Sequence, residues 1–307
     1  MIDSTCVTVG VACIDSNAVL FLAGDSSGNY AGVYTDTSIY VEGSFVINSD
    51  LTLVNCKVFT AAGAHIIATR DALLDLDSTI IISCDTMWQG ITLTEDSKLK
   101  ARNHSSIQDA VIGAEMLDAS QVLIEQSEIT NSVRGIKVVG PTGGIFPGYL
   151  TIREATFGMF RSSFKPNYIG QPAHGVLPYA GIDMNDAVMV LGDGAGAPSF
   201  FYRMNKGIVG LRTQMEIQNC KFNEIKFDNF YHTASDGSAV VSEGDLNYNP
   251  SYLQLIPANY PDTTILNCHR GVYNNYSDLI FAVLHHGQCA DWRRMLRQQI
   301  QTVCPGY

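Results

Sequence analysis

Four side chains near the middle of the chain have the chemistry of an active site that cleaves polysaccharide: His174, Asp183, Asp186 and Asp193. A glycoside hydrolase needs two carboxyl groups on either side of the scissile bond. A lyase needs a base and a cation that holds the uronate carboxylate. All four lie in residues 158–206, which interrupt an otherwise regular repeat. Loops added to a rigid scaffold often carry function, so an enzyme would have its catalytic groups here.

The motifs around these residues are nevertheless weak. Asp183 and Asp186 are three positions apart, so on a strand they would face opposite sides. Residues 191–197 are rich in glycine but lack the lysine of a phosphate-binding loop and the pattern of an EF-hand. No serine-hydrolase, zinc-protease or nucleotide-binding motif occurs. We therefore expect no catalytic constellation, no cofactor and no metal, and we lean toward a protein that is not an enzyme.

Composition narrows the range of partners. The 307 residues include 30 acidic and 19 basic ones, which gives a net charge of −11. Such a chain has no general attraction for nucleic acid or anionic lipid, so we expect neither as a partner. No run approaches the roughly 18 apolar residues of a membrane span. The N-terminal segment lacks the basic start of a signal peptide, so the chain is either cytoplasmic or a mature form numbered after cleavage.

An internal repeat must position the candidate residues. Its unit has apolar residues at positions one, three and eight and a small residue at position six, as in Leu51, Leu53, Cys56 and Val58. The third position recurs at residues 53, 76, 101, 124, 152, 217 and 265, mostly about 24 residues apart. Weaker copies include Leu99/Ala101/His104. A short strand that returns at a fixed period is the signature of a solenoid.

The length of the repeat and its residue types predict an all-β, right-handed parallel β-helix of roughly nine to ten coils. Small residues at position six would stack at a tight corner, at Cys56, Thr79, Ser127, Ala155 and Cys220. The predicted organisation is an N-terminal cap (1–37), a β-helix (38–276) and a C-terminal cap (277–307). The β-helix would contain an insertion at 158–206 and a long loop at 231–261. The C-terminal cap would include a helix over residues 291–302, which begins at Asp291.

Residues 43–93 resemble the β-helix modules of large secreted surface proteins from Bacteroidetes, which are similar in fold to pectate-lyase-like proteins. The resemblance rests on the Leu-x-Leu-x-x-Cys coils and on the turn from Cys84 to Ile91, with sequence Cys-Asp-Thr-Met-Trp-Gln-Gly-Ile. It is close over about residues 38–140. It implies an extracellular or surface-attached protein, although the C-terminal sorting domain frequent in that family is absent here.

Two further features of the sequence relate to the cleavage or binding of carbohydrate. Arg134 to Lys137 and His285 to Gly287 faintly resemble polygalacturonase elements, but the Asn-Thr-Asp and Asp-Asp elements of those enzymes are absent. Aromatic side chains can stack on sugar rings, and the candidates for such contacts are Trp88, Tyr248, Tyr252 and Tyr260. For Trp88 the alternative is a large apolar side chain that fills a corner of the solenoid.

The eight cysteines do not decide whether the protein occupies an oxidising or a reducing compartment. Two local pairs could form disulfides, Cys6 with Cys13 and Cys289 with Cys304, which would stabilise the chain ends and imply an oxidising compartment. The alternative is that all eight are small buried residues, and Cys56 and Cys220 fit this better because they belong to the repeat.

Three functions follow as hypotheses. The first is a non-catalytic extracellular or cell-surface β-helix that acts as an adhesin, a structural module or a self-assembling unit. The second is a polysaccharide lyase or glycoside hydrolase that acts on acidic polysaccharide. The third is a carbohydrate-binding module. The expected partners are further copies of the chain in lateral or end-to-end assembly, other surface proteins, or polysaccharide.

Overall fold

The fold consists of short strands stacked in parallel sheets. A computed structural model describes residues 18–21, 31–117, 119–140, 149–192, 196–244, 251–256, 265–281, 283–285 and 288–290, and these contain no helix. The strands, in chain order, are β1 Val19–Phe21, β2 Gly32–Thr35, β3 Ser38–Val41, β4 Ser44–Ile47, β5 Leu51–Val54, β6 Lys57–Thr60, β7 His65–Ala68, β8 Leu73–Asp77, β9 Ile80–Ser83, β10 Trp88–Leu93, β11 Lys98–Arg102, β12 Ser106–Gln108, β13 Ala110–Met116, β14 Gln121–Glu125, β15 Glu128–Thr130, β16 Arg134–Val139, β17 Tyr149–Arg153, β18 Thr156–Gly158, β19 Ala180–Asn185, β20 Val188–Leu191, β21 Ser199–Met204, β22 Lys206–Leu211, β23 Gln214–Gln218, β24 Cys220–Ile225, β25 Ser238–Glu243, β26 Ser251–Ile256, β27 Ile265–Leu266, β28 Arg270–Asn275, β29 Ser277–Phe281, β30 Val283–His285 and β31 Gln288–Ala290.

Each turn of the chain adds one strand to each of three faces. Face 1 has the order β2-β5-β8-β11-β14-β17 and continues as β20-β23-β26-β29. Face 2 is β1-β3-β6-β9-β12-β15-β18-β21-β24-β27, and face 3 is β4-β7-β10-β13-β16-β19-β22-β25-β28. All strands of these faces run parallel, which confirms the right-handed parallel β-helix. The ten strands of face 2 agree with the predicted nine to ten coils.

The corner between faces 1 and 2 is tight, and the small residues predicted there are buried. The residue before each of the five predicted column positions has a positive φ, for example 53° at Asn55 and 52° at Ser78. The backbone N–H of Cys56 donates to Thr79 Oγ1 at 3.1 Å, and that of Thr79 donates to Ser105 Oγ at 3.0 Å. The column residue of the third coil is therefore Ser105. The prediction of His104 was wrong, because His104 takes the left-handed position with φ 65°.

A second column of small residues lies where face 3 begins, and it makes room for a stack of large side chains. The rings of Phe157, Phe201 and Phe222 stack in the core at centroid distances of 5.0 and 4.9 Å. A Cβ at Gly181 would lie 2.6 Å from the Phe201 ring, and one at Gly207 would lie 2.5 Å from the Phe222 ring. Only glycine fits at Gly181 and Gly207, and each of these glycines is followed by an isoleucine.

The boundaries differ from those predicted. β1 and β2 already pair with β3 and β5, so strands of the solenoid occur before residue 38. The insertion is limited to residues 159–179, because residues 180–206 form β19 to β21 and begin β22. The long loop predicted at 231–261 is divided by β25 and β26. β29 pairs with β26 on face 1, and the predicted helix at 291–302 lies outside the described residues.

Candidate functional site

Two segments elaborate the corner between faces 2 and 3. The first, residues 159–179, connects β18 to β19, and we name it the strap. The second, residues 226–237, connects β24 to β25, and we name it the clasp. Both project from the same corner in nearby coils, and together they cover part of the outer surface of face 3. This is the most elaborate surface among the described residues.

The strap runs back along the corners of four earlier coils. Its start is fixed by Asn131, whose Oδ1 accepts hydrogen bonds from the backbone N–H groups of Phe160 and Arg161 at 3.0 and 3.2 Å. Further along, the carbonyl of Pro166 accepts the N–H of Met87 at 2.9 Å, and the ring of Tyr168 lies over Gly63. The strap ends where the N–H of Tyr179 donates to the carbonyl of Val133 at 2.7 Å.

Asp109 anchors the strap electrostatically. Its side chain is fully buried, and its two oxygens face two cations of the strap. Arg161 Nη1 lies 2.6 Å from Oδ1, and Lys165 Nζ lies 3.0 Å from Oδ2. Lys165 Nζ also donates to the carbonyls of Ser83 and Cys84, at 2.5 and 3.0 Å. A buried carboxylate needs such pairing because an isolated charge in the interior is strongly unfavourable.

The clasp holds the other end of the strap through Asp228. Its Oδ2 accepts the N–H groups of Val176 and Leu177 at 2.8 and 2.9 Å, and its Oδ1 accepts the N–H of Phe230 at 2.9 Å. The hydroxyl of Tyr231 donates to the carbonyl of Leu177 at 3.1 Å. The strap and the clasp are therefore interlocked.

A buried ion pair lies beneath the interlocked segments. Lys206 begins β22 and Asp236 lies near the end of the clasp, and each side chain is 1% exposed. Lys206 Nζ lies 2.8 Å from Asp236 Oδ1 and 4.3 Å from the centre of the Tyr179 ring. Asp236 is further held by Asn205 Nδ2 at 3.1 Å and by the hydroxyl and N–H of Thr233 at 2.5 and 2.8 Å.

Burial shifts the pKa values of this cluster. It raises the pKa of Tyr179 and of Tyr231 to about 12, because the phenolate would lose its hydration. It also lowers the pKa of Lys206, although the hydrogen bond to Asp236 opposes this effect. Burial acts to raise the pKa of Asp236, but the hydrogen bonds from Lys206 and Thr233 outweigh it and leave that pKa below its ordinary value.

A row of charges follows face 3 beside this cluster. Glu115, Lys137 and Asp183 occupy equivalent positions on β13, β16 and β19. Lys137 Nζ lies 2.7 Å from Glu115 Oε1, and Arg134 Nε lies 2.9 Å from Asp183 Oδ2. Neighbouring strands are about 4.8 Å apart, so the backbones of Glu115 and Asp183 are separated by about 9.6 Å. The row is an outward pair of carboxylates with two cations beside them.

The structure separates the predicted catalytic residues. Asp183 lies on face 3, paired with Arg134. Asp186 lies at the corner between faces 3 and 1, where Arg212 binds both of its oxygens at 2.6 and 2.7 Å. His174 lies within the strap, where its ring nitrogens contact the carbonyl of Gly175 at 2.8 Å and Asn167 Oδ1 at 2.5 Å. Asp193 lies outside the described residues. Asp183 and Asp186 therefore do not form one acid–base pair.

The carbohydrate-contact candidates have different environments. Trp88 is fully buried, and its Nε1 donates to the carbonyl of Gln108 at 2.8 Å, so neither ring face can receive a sugar. Trp88 fills the core, in agreement with the alternative prediction of a large apolar side chain inside the solenoid. Tyr252 is half-buried on face 1, with its hydroxyl 3.1 Å from Gln254 Oε1. Tyr248 and Tyr260 lie outside the described residues.

Among the cysteines, Cys56 and Cys220 are free and buried, as expected for residues of the corner column. Cys268 is also buried, and its Sγ donates to the carbonyl of Leu266 at 3.1 Å. Burial raises the pKa of the Cys220 thiol to about 12. Cys6, Cys13 and Cys304 lie outside the described residues, as does the side chain of Cys289. The two predicted disulfides therefore stay predictions.

Several residues that shape this surface did not stand out in the sequence. Asp109 and Glu115 belong to one coil and Asp228 and Asp236 to the clasp, and none of the four carries a motif. One signal was available: the strap contains no acidic residue in a chain with 30 of them, so its cations had to find partners elsewhere.

The described residues contain no group of acidic, histidine or cysteine side chains that could hold a metal ion. They also contain no helix that could cross a membrane.

No protein-family model, curated protein or solved structure matches the chain. The parallel β-helix thus rests on the strand topology described above. The resemblance of residues 43–93 to secreted Bacteroidetes modules stays a prediction.

Proposed function

We propose that the chain is a non-catalytic β-helix module of an extracellular or cell-surface protein and that it assembles with further copies of itself. The observation that carries this proposal is the surface of the strap and clasp. They expose five large apolar side chains on a rigid corner: Phe160, Ile169, Val176, Phe227 and Phe230. Exposed apolar groups that cluster in this way mark interaction sites.

Three of the five exposed groups lie close together around one anchor. Asp228 binds the backbone of both Val176 and Phe230, and Phe227 is its neighbour in the chain. Val176 is 72% exposed, and Phe227 and Phe230 are each 46% exposed. Because the hydrogen bonds to Asp228 fix the backbone here, these side chains would lose little conformational freedom when a partner binds.

Charge favours a second copy as the partner. The strap and clasp contain three of the 19 basic residues and only two of the 30 acidic ones, Asp228 and Asp236. Both of these carboxylates are buried. The rest of the chain is strongly acidic, and the strap and clasp expose no carboxylate, so this surface repels the flank of another copy less than an acidic surface would. Such a contact is heterologous and generates rings or filaments.

Sedimentation velocity over a range of protein concentrations tests the assembly. We expect association that weakens in the double variant Phe227→Ser/Phe230→Ser. The matched control is Phe200→Ser on face 2, which removes a phenylalanine of similar exposure, 43%, away from the clasp. A wild-type chain that stays monomeric at every concentration would rule out this assembly.

The extracellular location rests on the resemblance of residues 43–93 to secreted modules. Digestion of intact cells with an added protease tests it. We expect the chain to be degraded without cell lysis, whereas full protection until lysis would contradict an outside location.

The row on face 3 favours a second candidate, a glycoside hydrolase that acts on acidic polysaccharide. Inverting hydrolases hold their carboxyl groups about 6.5–9.5 Å apart. The backbones of Glu115 and Asp183 are about 9.6 Å apart, so their side chains need to lean only slightly toward each other to reach that range. Lys137 and Arg134 could bind the uronate carboxylates of such a substrate. Release of reducing ends from acidic polysaccharides, lost in Glu115→Gln and Asp183→Asn but kept in Asp186→Asn, would establish this activity in place of the first proposal.

A further inference from the structure

We propose that Lys206 and Asp236 become joined by a covalent amide bond between Nζ of the lysine and Cγ of the aspartate. The bond would tie the first residue of β22 to the end of the clasp, 30 positions further along the chain. The inference concerns a modification within the fold and does not depend on which proposed function is correct.

The geometry brings the two reacting groups together. Lys206 Nζ lies 2.8 Å from Asp236 Oδ1, which is bonded to the carbon that must be attacked. Each side chain is 1% exposed, so water has little access to reverse the reaction. The ring of Tyr179, 4.3 Å from Nζ, restricts the movement of the amine. Well-oriented groups of this kind react as if at very high concentration.

The bond can form without any added reactant. A proton passes from the ammonium to Oδ1 along the existing hydrogen bond, which leaves a neutral amine and a neutral carboxyl group. The nitrogen lone pair attacks Cγ, and the negative charge moves to Oδ2. When the carbonyl forms again, the bond between Cγ and Oδ1 breaks, and Oδ1 leaves as water with two protons that began on nitrogen. The products are one amide and one water.

The neighbours of the carboxylate suit this reaction. The N–H of Thr233 donates to Oδ2 at 2.8 Å, where it would stabilise the charge of the tetrahedral intermediate. Asn205 Nδ2 and the hydroxyl of Thr233 hold Oδ1, the oxygen that leaves. Burial lowers the pKa of Lys206 and so favours the neutral amine, whereas the hydrogen bonds to Asp236 lower its pKa and make the proton transfer to Oδ1 the unfavourable step. A buried ion pair often stabilises a protein no more than a pair of apolar side chains would, so stability alone does not account for this one.

The fold contains a matched pair that should stay unlinked. Lys137 Nζ lies 2.7 Å from Glu115 Oε1, as close as the buried pair. Their side chains are 29% and 21% exposed, so water can solvate both charged groups. The nitrogen–oxygen distances in the two ion pairs are nearly equal, so the pairs differ mainly in how deeply their side chains are buried.

Mass spectrometry of the purified full chain tests the proposal. We expect an intact mass lower by one water, and a digest that contains a branched peptide joining the Lys206 and Asp236 fragments. Glu115 and Lys137 should appear in ordinary linear peptides. The variants Lys206→Met and Asp236→Ala should have their full masses and give linear peptides only.

A competing reaction makes the lysine variant essential. Gly237 follows Asp236, and an Asp-Gly sequence can also lose water by closing a succinimide on the glycine nitrogen. That product would persist in Lys206→Met and would give no branched peptide. A full wild-type mass, or a water loss that survives in Lys206→Met, would overturn the proposal. Should the variants not fold, the presence or absence of the branched peptide in the wild type decides the question.

Discussion

The ring of Phe201 is the central member of the aromatic stack, and its removal gives the sharpest test of how the core is built. Phe201 is fully buried, with Phe157 at 5.0 Å on one side and Phe222 at 4.9 Å on the other. Replacing a buried phenylalanine by alanine costs about 3–5 kcal/mol. Each lost aromatic pair accounts for about 0.5–1.5 kcal/mol.

Because Phe201→Ala breaks two stacked pairs at once, we expect a loss near the upper end, about 4–5 kcal/mol. The glycines at the start of face 3 carry no side chain that could move in to fill the cavity. The assay is equilibrium unfolding in guanidinium chloride followed by circular dichroism, in which the midpoint should fall while the slope stays constant.

Phe200→Ala is the control, since the neighbouring ring on β21 points away from the core and is 43% exposed. It should change the free energy of unfolding by no more than about 0.5 kcal/mol. Equal losses in the two variants would refute the assignment of Phe201 to a stacked core and of Phe200 to the surface.

Three further predictions concern the glycine column, the strap anchor and the buried tyrosines. Gly207→Ala should cost about 1–3 kcal/mol of unfolding free energy, because a Cβ there would lie 2.3 Å from a backbone oxygen. Gly271→Ala, with its nearest atom at 3.7 Å, should be close to neutral in the same unfolding experiment. Asp109→Asn should release the strap, so limited proteolysis should cut residues 159–179 faster than in the wild type; an unchanged cleavage rate would contradict its anchoring role. Tyr179 and Tyr231 have pKa values raised from 10 to about 12 in the folded state, so the unfolded state releases their protons first. The stability they contribute is complete below pH 10 and is lost as pH rises toward 12, by about 1.4 kcal/mol per pH unit for each tyrosine. Unfolding curves at several alkaline pH values should show this fall, and it should be smaller in Tyr179→Phe and in Tyr231→Phe.

The repeat could be predicted from the sequence because its signal is local. Each coil has the same alternation of apolar and polar residues, and the small residue at the corner, such as Cys56 or Thr79, occupies the same position of the repeat. The one error in that column, His104 for Ser105, arose because a coil with one extra residue at the corner shifts the frame. The left-handed φ of His104 and the hydrogen bond from Thr79 to Ser105 show which of the two residues belongs to the column.

The candidate site could not be predicted in the same way. The partners Arg134 and Asp183 lie 49 positions apart, and Arg161 and Asp109 lie 52 apart. Their proximity depends on the length of every intervening coil and on the direction taken by the strap. The sequence did indicate where to search, since Asp183, Lys206 and Tyr179 all lie in or beside the predicted insertion. It did not indicate that Asp186 belongs to another corner.

Solenoids usually unfold coil by coil, because each repeat contacts only its neighbours. The strap departs from that arrangement, since it touches the corners at Gly63, Met87, Asp109 and Asn131 in four different coils. A coil in this stretch therefore cannot open without breaking contacts that also hold the others. Amide hydrogens from about residue 60 to residue 140 should exchange with solvent as one cooperative block. The strap therefore makes these coils resist bending and separation as one mechanical unit.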